Sequence, residues 1–248
     1  MPVTCVACGA PDEQVCRGCS LELEGSRWAG GPRRVAPDPA PKGLPSVFAT
    51  ARFEASLAHM VAAYKDDGRR DAAPLLGGLL GEALDAAIRS TPAASQLLSH
   101  GNGPVLVVPV PSSRSSRRQR GDAPLELLAQ HACSGFSQRE ALLALALHPT
   151  RRVADQAGLG ARERAANLEH SMRVHDGWRP AVAGAVCVVV DDVVTTGATL
   201  VEAARALHAA GARTVLAAAI CATQRRRHTA PDGPARGAAT AWTTHGKP

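Results

Sequence analysis

The chain has 248 residues, enough for one sizeable domain with a small appendage or for two modest domains. Apolar residues make up 45% of it, which excludes wholesale disorder, while aromatics at 3% leave Ala, Val and Leu to build the core. A net charge of +6, from 28 Lys and Arg against 22 Asp and Glu, suits anionic small ligands or weak nucleic-acid contact. It does not by itself argue for a dedicated DNA binder. Much of the surplus sits in three clusters, residues 114–120, 151–152 and 225–227. The N-terminus, MPVTCVACGAPDEQVC, lacks the basic start and apolar run of a signal peptide. No stretch reaches the roughly 18–20 apolar residues of a spanning helix. A soluble, cytoplasmic protein is the expectation.

Four of the seven cysteines fall within residues 1–20, as Cys5-x-x-Cys8 and Cys16-x-x-Cys19. Each pair can clasp a metal through a tight turn, with Gly9 and Gly18 permitting sharp bends. Four thiolates make a closed tetrahedral Zn²⁺ site. A closed site leaves no position for substrate, so its role is structural or for docking. A redox Cys-x-x-Cys pair is the alternative, but so short a segment could hardly stay folded without metal. The remaining thiols, Cys133, Cys187 and Cys221, lie on apolar runs and read as small core residues.

Residues 21–44 are rich in Gly, Pro and charge and read as a linker. Helical spacing follows at 53–64 (FEASLAHMVAAY) and again at 75–88, on either side of a turn at Asp66-Asp67-Gly68. Residues 104–110 (PVLVVPV) read as a buried strand, and 125–133 and 137–147 as helices. The polar, glycine-containing stretch 151–164 reads as a mobile loop entering a helix. Residues 185–190 (AVCVVV) are the clearest strand, followed by a short loop, a helix at 198–210 ending at Gly211, and a last strand at 215–219. From about 224 onward the chain is basic, then rich in Gly, Pro and Thr, and reads as disordered. Alternating strands and helices, with strands apolar on both faces, imply an α/β domain over 45–223 with a mostly parallel sheet. Ligands bind such sheets at the C-terminal strand ends.

Two segments stand at such ends, and 186–200 (VCVVVDDVVTTGATL) is the more specific. A buried strand delivers Asp191 and Asp192 to its end, where both can reach the crevice. Thr195, Thr196, Gly197, Ala198 and Thr199 then supply hydroxyls, a glycine and the first amides of a helix. A phosphate needs such donors. Two acids beside a phosphate would repel it unless they face something else, and vicinal ribose hydroxyls are good donors to carboxylates. The pattern therefore reads as a sugar-phosphate site. An ordinary helix cap accounts for one acid or one threonine, not for both acids with the ordered threonines. The chain has neither the Gly-x-Gly-x-x-Gly of a dinucleotide site nor the Gly-Lys-Ser/Thr of a P-loop.

This segment resembles the phosphoribosyl-diphosphate (PRPP) signature of type I phosphoribosyltransferases. Val108-Pro109-Val110-Pro111 followed by Arg114, Arg117, Arg118 and Arg120-Gly121 resembles the VPVP…RG segment of the ComF (competence protein F) family. Gln156, Leu159, Arg162-x-Arg164 and Asn167-Leu168 resemble its Q…L…R…N stretch, and Ala63-Tyr64-Lys65 with Gly68 another of its elements. The four cysteines are similar to its N-terminal zinc finger. Together these cover most of residues 5–223. The resemblance implies that Asp191 and Asp192 contact ribose hydroxyls and that residues 195–199 hold the 5′-phosphate. It further implies that Pro111, Ser112, Ser113 and Arg114 face the pyrophosphate with Mg²⁺ between, and that Arg151 and Arg152 lie on a closing lid. Asp122-Ala123-Pro124, where the family shows an aromatic and an amide or acid, and Met172, at a position often held by Phe, depart from its pattern.

Two functions follow as expectations. The first is transfer of phosphoribosyl from PRPP to an unknown acceptor with release of pyrophosphate. The second is a non-catalytic protein on the same fold, its zinc module and arginines engaging competence proteins or single-stranded DNA, though few aromatics are available to stack bases. An oligomer is compatible with either.

Overall fold

The computed structural model describes residues 3–99, 103–111, 123–150 and 168–224. In chain order the helices are α1 (Arg17–Ser26), α2 (Ala55–Asp66), α3 (Ala73–Arg89), α4 (Pro92–Ser99), α5 (Pro124–Cys133), α6 (Arg179–Val182) and α7 (Ala198–Ala209). The strands are β1 (Arg33–Val35), β2 (Ser46–Arg52), β3 (Val105–Pro109), β4 (Ala141–Leu143), β5 (Leu147–Pro149), β6 (Met172–Val174), β7 (Val186–Val194) and β8 (Thr214–Ala222). Six of them form one sheet in the order β1-β2-β8-β7-β3-β4, parallel throughout except for β1. The α/β architecture with a mostly parallel sheet is therefore the one the sequence implied.

The interior follows from composition. Residues 186–190 of β7 and 215–222 of β8 are buried without interruption, as strands covered on both faces must be. Helices α3 and α5 pack together against the sheet, while α7 contacts β7 and β8 and carries the antiparallel β5–β6 pair through β6. Cys187 and Cys221 are buried core residues, and Cys133 is partly buried against the same core. Burial raises all three thiols, Cys133 to about 11 and Cys187 to about 12.

Two local expectations are corrected and one strand is added. Residues 137–147, expected as a helix, instead form a turn, β4 and the start of β5, because β4 pairs with β3 through Val105–Ala141, Leu106–Leu142 and Val107–Leu143. A sheet-edge hydrogen-bond ladder outweighs the helix propensity of Ala and Leu there. The stretch 21–44 carries the end of α1 and the strand β1, which is laid antiparallel on β2. Strand β2 itself, which the sequence did not announce, sits between β1 and β8. Gly211 follows α7 in the left-handed conformation, φ 92°, as expected. Among the described residues no helix is long and apolar enough to cross a membrane.

The strand order places β7 between β8 and β3, and the chain leaves β3 toward β4 on one side and returns to β7 on the other. The sheet therefore changes direction between β3 and β7. This is where an open parallel sheet forms a crevice beyond its C-terminal edge.

Candidate functional site

Both carboxylates lie beside this switch between β3 and β7, for a reason the sequence did not supply. β7 does not end at the acids; it continues to Val194, with Asp191 opposite Ala219 and Val193 opposite Cys221 on β8. The neighbour on the other side ends instead, since the β3 register stops at Pro109 opposite Val190, and Val110 donates one further N–H to Val190 at 3.0 Å. Beyond that point no described strand pairs with that flank of β7, and the acids stand within a strand at the place where such sheets form a crevice. Pro111 lies partly buried at its rim. Ser112, Ser113, Arg114, Arg151, Arg152 and the 225–227 cluster lie outside the described residues, as do the residues expected as a disordered tail.

The local electrostatics are tight. Asp191 Oδ1 accepts the Asp192 N–H at 2.9 Å, and Asp192 Oδ1 accepts the Val193 N–H at 2.7 Å. Lys65, in the last turn of α2, places its Nζ 2.7 Å from Asp192 Oδ2, where the side chains are 37% and 15% exposed. Burial, then the neighbouring Asp192 charge, push the Asp191 carboxyl up to about 7, while Lys65 and the Asp192 amide pull the other way. Burial would lower Lys65, but the two aspartates raise it. One acid is thus paired with a cation, while burial and its neighbour's charge raise the carboxyl of the other. The sequence named Lys65 only within a resembling element; helical periodicity carries no signal that it reaches β7.

After Val194 the chain turns through Thr195 and Thr196 into α7. Gly197 precedes the helix with φ 74° and no side-chain cap, and the Thr196 Oγ1 contact to the Ala198 N–H is long at 3.4 Å. Thr196 and Thr199 are partly buried, Thr195 exposed and Ala198 buried. A helix start with partial positive charge and no capping acceptor is suited to an anion. Gly197 has a second constraint. A Cβ there would stand 2.8 Å from Leu44 Cδ1 and 3.4 Å from the Cγ atoms of Pro37 and Pro41. The proline-rich segment expected as a linker is therefore packed against the loop. The helix is held from its other side as well. The buried Glu202 accepts the Met172 N–H at 2.9 Å, and Arg205 donates to Glu202 at 2.7 Å and to the Met172 carbonyl at 2.8 Å. The β5–β6 hairpin is thereby fixed to α7.

The four N-terminal cysteines converge, with their sulfurs all within 4.8 Å of one another and Cys8 to Cys16 at 3.6 Å. A tetrahedral zinc with Zn–S of about 2.3 Å separates its sulfurs by about 3.8 Å, so this set fits Zn²⁺ with small adjustment. Gly9 makes its bend at φ 77°, whereas Gly18, expected as a second bend, lies inside α1. Despite burial, amide donors from Cys16, Cys8 and Ala7 lower the Cys5 thiol to about 6; at Cys19 the Ser56 hydroxyl is outweighed by burial and three thiol neighbours, leaving it at about 12. The thiols cannot all ionise until a cation joins them. Cys5, Val6, Cys19 and Leu23 belong to the same core cluster as the sheet. Ser56 at the start of α2 donates to Glu22 of α1 at 2.5 Å, and Arg69 just after α2 donates to the Thr4 carbonyl at 2.6 Å. Cysteine module and acid pair thus share one helix.

No curated protein matches the chain. A family model described as phosphoribosyl transferase domain matches residues 161–238, the region that holds β7 with its acid pair, the threonine–glycine turn, α7 and β8.

Proposed function

We propose that the chain binds PRPP and transfers its phosphoribosyl group to a nucleophilic acceptor. The C1′–oxygen bond to pyrophosphate breaks, a bond from C1′ to the acceptor forms, and pyrophosphate leaves with the magnesium that accompanies PRPP. Asp191 and Asp192 accept the ribose hydroxyls, while residues 195–199 and the start of α7 hold the 5′-phosphate. Pro111 to Arg114 meets the pyrophosphate, and Arg151 and Arg152 cover the reacting centre, which excludes water from a reactive oxocarbenium-like carbon. The observation that carries the reading is the pair of carboxylates past the end of the β3 register, followed by a helix start whose N-cap is Gly197, within the region that matches the phosphoribosyl transferase domain. Catalysis here rests on positioning and on stabilising the leaving group. Residues 1–20 serve as a structural zinc module of the ComF type, ahead of a transferase domain over 45–223, in a reducing cytoplasm.

Calorimetric titration of the zinc-loaded protein with PRPP and Mg²⁺, beside the Asp191→Asn/Asp192→Asn variant, tests this. Binding by the wild type and loss of binding by the variant are expected, and a screen for acceptor-dependent pyrophosphate release then follows. A folded wild type that ignores PRPP moves the function to the cysteine module and the arginines, as a docking protein for competence partners or single-stranded DNA.

A further inference from the structure

We infer that Lys65 is a positioning residue of the acid pair: it supplies the charge that lets two adjacent carboxylates receive a polyanionic sugar. This rests on the sugar-phosphate reading of the site and deepens it. The difficulty is electrostatic. Two ionised aspartates at a partly buried strand flank repel each other, and both repel a ligand carrying a phosphate and a pyrophosphate. Facing the acids to ribose hydroxyls orients the dipoles but leaves the net charge. Lys65 removes one of the two negative charges while leaving the Asp192 carboxylate as an acceptor, since a carboxylate has more lone pairs than one ammonium uses.

The contact is built, not incidental. Lys65 follows Tyr64, which is 1% exposed and donates its hydroxyl to the Pro124 carbonyl at 2.7 Å. Leu57, Met60, Val61 and Tyr64 bury one face of α2. The helix is tied at its start to α1 through Ser56–Glu22 and just beyond its end to Thr4 through Arg69. The ammonium is therefore delivered to Asp192 by a helix fixed at both ends. The charged groups that act on Asp191 are Asp192, which raises its carboxyl, and Lys65 of α2, which lowers it; Cys221 of β8, a buried thiol, feels the same three groups. Lys65 is the one cation among them.

Full-length, zinc-loaded wild type, Lys65→Met and Lys65→Arg would be titrated with PRPP and Mg²⁺ between pH 5.5 and 8.5. Ligand affinity in the wild type should fall as pH drops through the Asp191 midpoint, because a protonated carboxyl loses acceptor capacity toward the ribose hydroxyls it touches, which outweighs the relief of its repulsion toward the more distant phosphates. Lys65→Met should bind about tenfold or more weakly at pH 7, with that midpoint displaced upward, and Lys65→Arg should recover most of the affinity. A lysine that merely supports the fold would weaken binding in the same proportion at every pH and leave the midpoint in place, which overturns the inference. The ¹³C carboxyl titration of Asp191 without ligand gives an independent reading. An upward shift in Lys65→Met is expected, and an unmoved midpoint rejects the role. Wild-type protein that binds no PRPP overturns the sugar-phosphate reading instead, while the carboxyl titration still decides Lys65.

Discussion

The cysteine module and the acid pair pose one electrostatic problem and meet it in opposite ways. Each gathers acids closer than solvent screening allows: four thiols with sulfurs within 4.8 Å, and two consecutive aspartates on β7. The aspartates receive their cation from the chain itself, through Lys65 at 2.7 Å. Among the described residues no cation is paired with the thiols at such a distance, and the four sulfurs could hold a metal from outside. A built-in cation leaves a site that is charged, partly open and ready for a ligand; a captured one closes the site and fixes the fold. The module is also the smaller contributor to the core, with Cys5, Val6, Cys19 and Leu23 against the many residues of the sheet. Its metal should therefore matter most to stability, and the acid pair most to binding.

Withholding zinc from the cysteine module is the strongest way to sharpen this contrast. Chelation, or Cys5→Ser, should cost on the order of 5 kcal/mol or more of local stability. Because α2 is tied to α1 and Thr4, PRPP affinity should fall with it. Hydrogen exchange over residues 3–26 and 55–71, measured with and without zinc, checks the link. Protection lost in the module but retained in α2 would break it.

Gly197→Ala tests the other side. An alanine at φ 74° is strained by about 1–2 kcal/mol, and its Cβ would meet Leu44 and two proline rings, for a total of about 3 kcal/mol. Adding Leu44→Ala should relieve the steric part and leave the backbone part. A denaturant-melt double-mutant cycle separates the two, and exact additivity would deny the contact.

The smallest effect concerns pH. The Asp191 carboxyl is raised from 3.8 to about 7, so between those values the folded chain holds a proton that the unfolded chain has released. Stability from this group is full below about pH 4 and is lost as pH rises through 7. Asp191→Asn should therefore be the more stable protein at pH 8, on the order of 2 kcal/mol once the roughly 4 kcal/mol implied by the full shift is discounted for solvent screening of a partly exposed side chain, with the difference vanishing near pH 4. Thermal melts at the two pH values report it, and an equal difference at both would contradict a desolvated carboxylate. A variant that gains stability while losing PRPP binding would mark Asp191 as a residue kept for function.

What was legible in the sequence was whatever a short window contains. The unbroken apolar run before Asp191 marked a doubly covered strand, the threonine–glycine turn marked a helix start, and two Cys-x-x-Cys pairs marked a metal site, because periodicity and ligand spacing are local. Tertiary structure decided the rest. Residues 137–147 carry the composition of a helix, and only the free edge of β3 makes β4 of them. Residues 37–44 look like a linker, and only their packing on Gly197 makes them part of the site. The acids lie past the end of the β3 ladder because its register stops at Pro109, not because β7 stops. Lys65 joins them across 127 residues of chain, since a helix docked by its buried face is free to present its last turn to a strand that no local pattern names.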